Sequence, residues 1–278
     1  MRKIKIISDS SCDLFDLKNV EFSSAPMKII TADKEFVDDI SLDVDGMVDY
    51  LYQYKGKSTS SCPNTTDWLE AFGDADDIFC VTITSGLSGS YNSACVAKQI
   101  YETENEGKRV HVFDTRSAGP EITLIIEKIE ECVKLGMPYE DVCEAVEEYM
   151  KKTGLVFMLK SLKNFANNGR VSPIVAKLVG IAGICIVGKA SNEGTLEPMH
   201  KCRGERRSLE TLADDLETEG FRSGKISIGH CQNESAAKQL KELLLEKFKN
   251  VQIEIHKLKG LCSFYAEKGG VLVGFEKA

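Results

Sequence analysis

The groups best placed to hold or attack a ligand lie at one handover from strand to helix, where residues 80–93 read CVTITSGLSGSYNS. A strand that ends at Thr84 and Ser85 and enters a helix through Gly86 to Ser88 offers free backbone N–H groups ringed by hydroxyls. Such an end attracts anions, because unsatisfied N–H donors and the helix dipole point the same way. Gly86 and Gly89 let the backbone come close to a ligand, while Ser88 serves equally well as a simple helix cap. GLSGS is also close to the nucleophile elbow G-x-S-x-G, but Ser90 stands where the elbow has glycine. The histidines, His111, His200, His230 and His256, show no pairing with an aspartate, so a serine hydrolase acting on small esters or acyl thioesters is the alternative and not the leading expectation. The P-loop lysine and the dinucleotide spacing are absent. The acidic string VDDISLDVDGMVDY does not follow the order of a calcium loop and reads as a solvated helix start.

These residues need a scaffold, and the chain supplies an ordinary globular one of 278 residues with 42% hydrophobic and 28% charged residues. A charge of −8 argues against a phosphate backbone or an anionic membrane as partner. The amino terminus is too quickly polar for a secretory signal, and no apolar run is long enough to span a bilayer, so the cytoplasm is the expected location. Ten cysteines are scattered without a CxxC pair, and Cys80, Cys95, Cys132 and Cys185 sit inside apolar stretches. They read as reduced core thiols with no metal site.

The pattern predicts strands at Lys3–Ile7, Phe22–Ile30, Asp77–Thr84 and Arg109–Asp114, the last two buried. Helices are predicted over Leu42–Tyr54, after KSTSSCPN with Thr65 or Thr66 as cap, from Tyr91 toward Gly107, and over Ile122–Leu135 and Tyr139–Lys152. This first half is α/β with a largely parallel sheet. The pattern restarts near residue 153 with the strand LVFML. A helix and then a strand are expected within Ile174–Val187, followed by the hairpin-like SNEGT, a helix over Arg203–Leu216, a strand over Lys225–Gly229, a helix over Glu234–Phe248 and a strand over Val251–Leu258. Two domains are expected, 1–153 and 154–278, the second the smaller.

Taken together, KIKIISDSSCDL, STSSCPNTTDWLEAF, VTITSGLSGSYNSA, VFDTRSA, NNGRVSPIVAKLVG and the K-x-R-G segment at Lys201–Gly204 resemble the DegV family of bacterial fatty-acid-binding proteins. The resemblance implies a two-domain α/β fold enclosing one long-chain fatty acid, its tail in an apolar tunnel and its carboxylate near the serine-rich turn. It further implies a non-enzymatic, lipid-carrying subunit whose partner, an ATP-dependent fatty-acid kinase, phosphorylates the bound carboxylate to an acyl phosphate for phospholipid synthesis. No cofactor is implied besides the fatty acid as ligand, nor any nucleic acid or stable membrane insertion; a monomer is the default. Ser88 is the expected carboxylate contact, with Ser60 or Ser61 from the other loop as its partner. Ser85, Gly86 and Gly89 shape the turn, Arg170 orders the wall near the head group, and Arg203 faces the kinase. There are departures: Tyr265 stands where the family has a histidine, Gly119–Glu121 replaces glycines, and Ile184–Cys185 replaces Lys-Pro. They leave open a different acyl chain or a lost coupling to the kinase, and a carrier of another lipid or isoprenoid acid keeps the tunnel and changes the cargo.

Overall fold

The computed structural model describes residues 2–172, Val175 and 183–278. A four-stranded parallel sheet runs in the order β2(Glu21–Ala25), β1(Ile4–Asp9), β6(Asp77–Thr82), β7(Arg109–Asp114). Successive side chains on a strand point to opposite faces, and β1 and β6 carry apolar residues on both faces. Ile7, Ile78 and Cys80 therefore meet α2(Thr65–Phe72) and α3(Ser90–Glu104), whereas Ile6, Phe79 and Val81 meet α4(Pro120–Lys134) and α5(Tyr139–Met150). Every residue of β6 is buried, but β7 is an edge strand with only Val110 and Phe113 buried, which corrects the expectation of a second fully buried strand.

The expected extended stretch Phe22–Ile30 divides at Pro26, which cannot donate to a ladder. Past it, β3(Lys28–Ile30) leaves for a separate antiparallel sheet with β4(Glu35–Val37) and β5(Thr59–Ser61). The polar segment KSTSSC, expected as loop, thus supplies a strand, and the cap of α2 is Asn64 and not Thr65 or Thr66. α1(Val44–Gln53) lies where the spacing places it.

The remaining strands form a six-stranded mixed sheet, β10(Leu196–Arg203), β9(Ile184–Ala190), β8(Thr153–Leu159), β13(Val271–Glu276), β11(Gly224–His230), β12(Val251–Lys257), larger than the parallel sheet before it. Only β11 and β12 pair in parallel. Val156, Met158, Val187, Val271 and Val273 point to one face and pack against α7(Glu205–Thr218) and α8(Glu234–Lys247). Leu155, Phe157, Leu159, Ile186 and Leu272 point to the other, toward α9(Gly260–Ala266). Helix α4 contacts both large sheets. Its first turn crosses β13 at Gly274, where an added Cβ would stand 2.4 Å from the Glu121 nitrogen. The helix expected within Ile174–Val187 falls largely outside the described residues, whereas its strand is β9. β10, β13 and α9 have no counterpart among the predicted elements. Arg203 closes β10 instead of opening a helix, and α7 begins at Glu205.

Candidate functional site

A cavity of about 280 Å³ opens between the parallel-sheet half and the inner face of the mixed sheet. Leu155, Phe157, Leu159, Leu196, Leu261 and Leu272 give it an apolar wall, while Ser60, Ser61, Ser88, Arg170 and Tyr265 bring polar groups to it. The strand alternation is the cause. The residues of β8 and β13 that face away from α7 and α8, Leu155, Phe157, Leu159 and Leu272, are the ones that line the cavity. No described helix is long and apolar enough to cross a membrane.

The Ser60 and Tyr265 hydroxyls lie 2.8 Å apart, joining β5 to α9 across the cavity. Tyr265 packs on Phe165, with ring centroids 4.7 Å apart, and this holds the phenol in place. At the serine-rich turn, the Ser88 hydroxyl accepts the Ser90 N–H at 3.2 Å. A serine oxygen that accepts keeps its own O–H to donate. The cap position of α3 is Gly89, without a side-chain cap, so Ser88 precedes the cap and keeps a free donor.

The expected cradle of backbone N–H groups is narrowed by the hydrogen bonds. Ser85 N–H goes to Asp114, Gly86 N–H to the Thr84 hydroxyl, and Leu87 and Ser88 N–H to the Thr84 carbonyl. With Ser90 N–H bound to Ser88, the N–H groups of Gly89, Tyr91 and Asn92 are left without a partner among the described residues, so an anion here would meet hydroxyls and the open helix start and not the amides of residues 85–88. Ser85 also spends its hydroxyl, donating to Asp114 at 2.5 Å, and does not line the cavity. Gly86 answers a different need from the expected one: an added Cβ would stand 2.6 Å from the Glu193 carbonyl of the β9–β10 turn. Gly89 does line the cavity, beside Cys62. Arg170, exposed, follows Gly169 at φ +67° and donates its N–H to the Phe165 carbonyl just past α6(Lys163–Asn167). Arg203 is exposed on the edge strand β10 and is not a cavity residue.

Behind the turn lies Asp9, a residue the sequence did not single out. Its carboxylate accepts the Ser90 hydroxyl at 2.6 Å, the Ile83 N–H at 3.0 Å and the Ser11 hydroxyl and N–H. Burial raises its pKa against the opposing pull of these donors. It pins the end of β6 and the first residue of α3 to the end of β1. The signal was present in DSSCD, whose Asp-Ser order suits a turn that folds onto its own side chains. Among the described residues, none of the four histidines lines the cavity, so Ser88 has no imidazole beside it. His111 pairs with Glu147 and His200 with Asp215, both elsewhere. All ten cysteines are free; Cys62 and Cys262 are cavity-wall residues and not members of a remote core.

Comparison with known proteins places this geometry. The DegV family model, described as Uncharacterised protein, DegV family, matches residues 3–278. A DegV domain-containing protein of Streptococcus pneumoniae is 44% identical over 276 residues, 98% of each chain. The fold matches the Streptococcus pneumoniae Fatty Acid Kinase (Fak) B3 protein loaded with linoleic acid at TM-score 0.97 and 43% identity, covering 99% of this chain and 100% of that one. It also matches a DegV family protein from Eubacterium eligens loaded with heptadecanoic acid at TM-score 0.96 and 40% identity, with the same coverage. With the family model matched from residue 3 to the last residue, the chain belongs to the DegV family.

Proposed function

We propose that this protein binds one long-chain fatty acid in the cavity and presents its carboxylate to a partner kinase, which phosphorylates it with ATP to an acyl phosphate. The observation that carries this is the pairing of an apolar wall from β8 and β13 with three hydroxyls, of Ser60, Ser88 and Tyr265, at one cavity. Burying about 14 methylenes at roughly 0.8 kcal/mol each gives on the order of 11 kcal/mol before the costs of association, so the tail dominates affinity. The hydroxyls set orientation. A carboxylate bonded to hydroxyls keeps its charge, and Arg170, a lining residue that is exposed, adds a cation. Tyr265, in place of the family's histidine, still brings a donor to the head group. The walls come from residues 1–153 and 154–278, which we treat as the two domains, and Arg203 on the outer edge is the proposed kinase contact.

Native mass spectrometry of the purified protein tests binding: a co-purified long-chain acid is expected. Recovery of none under gentle conditions, with no uptake of added linoleic acid, would remove the proposal. Coupling is tested by adding a fatty-acid kinase and ATP and trapping acyl phosphate with hydroxylamine. Hydroxamate formed by the wild type and diminished in Arg203→Ala is the expected result.

A further inference from the structure

The buried carboxylate of Asp38 lies outside the cavity lining, yet it holds the helix that carries Tyr265 from a position next to the sheet that carries Ser60. Asp38 directly follows β4, in the same small sheet as β5, which carries Ser60 and Ser61. Its backbone N–H is bound to the Met27 carbonyl at 2.9 Å, and the residue is 0% exposed. Its side chain accepts the N–H of Gly260 at 2.7 Å and of Leu261 at 2.8 Å, the first two residues of α9. The fit is tight: a Cβ at position 260 would stand 2.5 Å from Asp38 Oδ1, so the carboxylate can come this close only because residue 260 is glycine.

Helix α9 is seven residues long, too short to keep its own place in water. Three of its opening N–H groups are held from outside, Lys259 by Asp13 at 2.7 Å and the next two by Asp38. The same short helix carries Leu261, Cys262, Tyr265 and Ala266 to the cavity wall. Tyr265 lies about one and a half turns beyond the carboxylate, so a displacement of the first turn reaches the phenol almost undiminished. A shift of about 1 Å takes the 2.8 Å contact with Ser60 out of hydrogen-bonding range.

We propose that Asp38 is a positioning residue for the head-group end of the cavity: by tying the first turn of α9 to the sheet that carries Ser60, it sets Tyr265 against Ser60 and thereby sets the preference for a free carboxylate over a neutral ester. This rests on the fatty-acid reading above. Asp38 touches no ligand atom in this scheme; it acts through Tyr265.

The test compares oleic acid with methyl oleate, binding each to delipidated full-length protein. Both share the tail, so a purely structural role for Asp38 weakens the two equally, whereas positioning changes their ratio. Wild type is expected to prefer the acid by about tenfold or more, the worth of one charge-assisted hydrogen bond. Asp38→Ala is expected to bring the ratio down to that of Tyr265→Phe, with methyl oleate affinity changed less than about threefold. Asp38→Asn keeps one acceptor and the side-chain shape, so it folds where alanine fails. It is expected to lose about threefold of the preference in the wild-type background and none in the Tyr265→Phe background, because the two act as one unit. An unchanged ratio in Asp38→Asn, or the same loss in both backgrounds, overturns the inference while leaving fatty-acid binding intact. A wild type that binds neither probe overturns the fatty-acid reading and this inference with it.

Discussion

Two serines two positions apart, Ser88 and Ser90, have opposite tasks. Ser88 is half-buried at the cavity with a proton free to donate, whereas Ser90 is fully buried and gives its proton to Asp9 at 2.6 Å. Ser88→Ala is expected to weaken oleic acid binding by about tenfold, equivalent to about 1.4 kcal/mol, and to leave the melting temperature nearly unchanged. Ser90→Ala strips a donor from a buried carboxylate, a loss of about 1–3 kcal/mol that appears as a melting temperature lower by several degrees. Thermal melts beside binding isotherms separate the two; equal effects of both variants on binding would take Ser88 out of its role. Ser88 itself was legible in GLSGS. That the amides of residues 85–88 are already spent was not, because Ser85 N–H goes to Asp114 on another strand and the next three fold back on Thr84.

At the scale of elements, the β9–β10 turn and the serine-rich turn are packed so closely that neither has room for a side chain. Gly194 has φ +72°, and an added Cβ would lie 2.0 Å from the Thr84 hydroxyl and 2.8 Å from the Arg116 backbone. Gly194→Ala therefore meets strain and a clash together and is expected to cost more than about 2 kcal/mol. Denaturant unfolding measures it, and a variant within about 0.5 kcal/mol of wild type would mean that the two turns are not locked. Sequence patterning found most of the longer helices and, β13 apart, the buried strands, because both leave an apolar period. It missed β5, whose Thr-Ser-Ser has none, and α9, whose place is set by carboxylates more than 200 residues away in the chain.

Across the whole molecule, buried ionisable groups tie its parts together and tilt its stability with pH. Burial raises Asp13 to about 8 and Asp38 to about 6, and it lowers His256 to about 4. An unfolded aspartate titrates near 3.9 and an unfolded histidine near 6.5. The aspartates therefore contribute most below pH 4, and their contribution is lost as pH rises, through 6 for Asp38 and through 8 for Asp13. His256 runs the other way: its contribution is complete above about 6.5 and is lost as pH falls toward 4. Chemical unfolding at intervals from pH 4 to 8 is expected to show Asp38→Asn losing less stability than wild type between 4 and 6. His256→Gln is expected to lose less than wild type on acidification below 6.5. Parallel curves for variants and wild type would show that these groups do not titrate on unfolding in that range.

The local pattern by itself determined the α/β class, the parallel sheet of the first half and the serine-rich turn, since each leaves a mark within a few residues: a period of two, a period near four, or a run of glycine and serine. The family motifs pointed to the ligand class in the same way. The cavity wall, the bond from Ser85 to Asp114, Asp9 behind the turn and the coupling of Ser60 to Tyr265 were decided only by the tertiary structure. Each depends on groups brought together from distant strands, and burial together with hydrogen-bond geometry, not chain spacing, selects which of them meet.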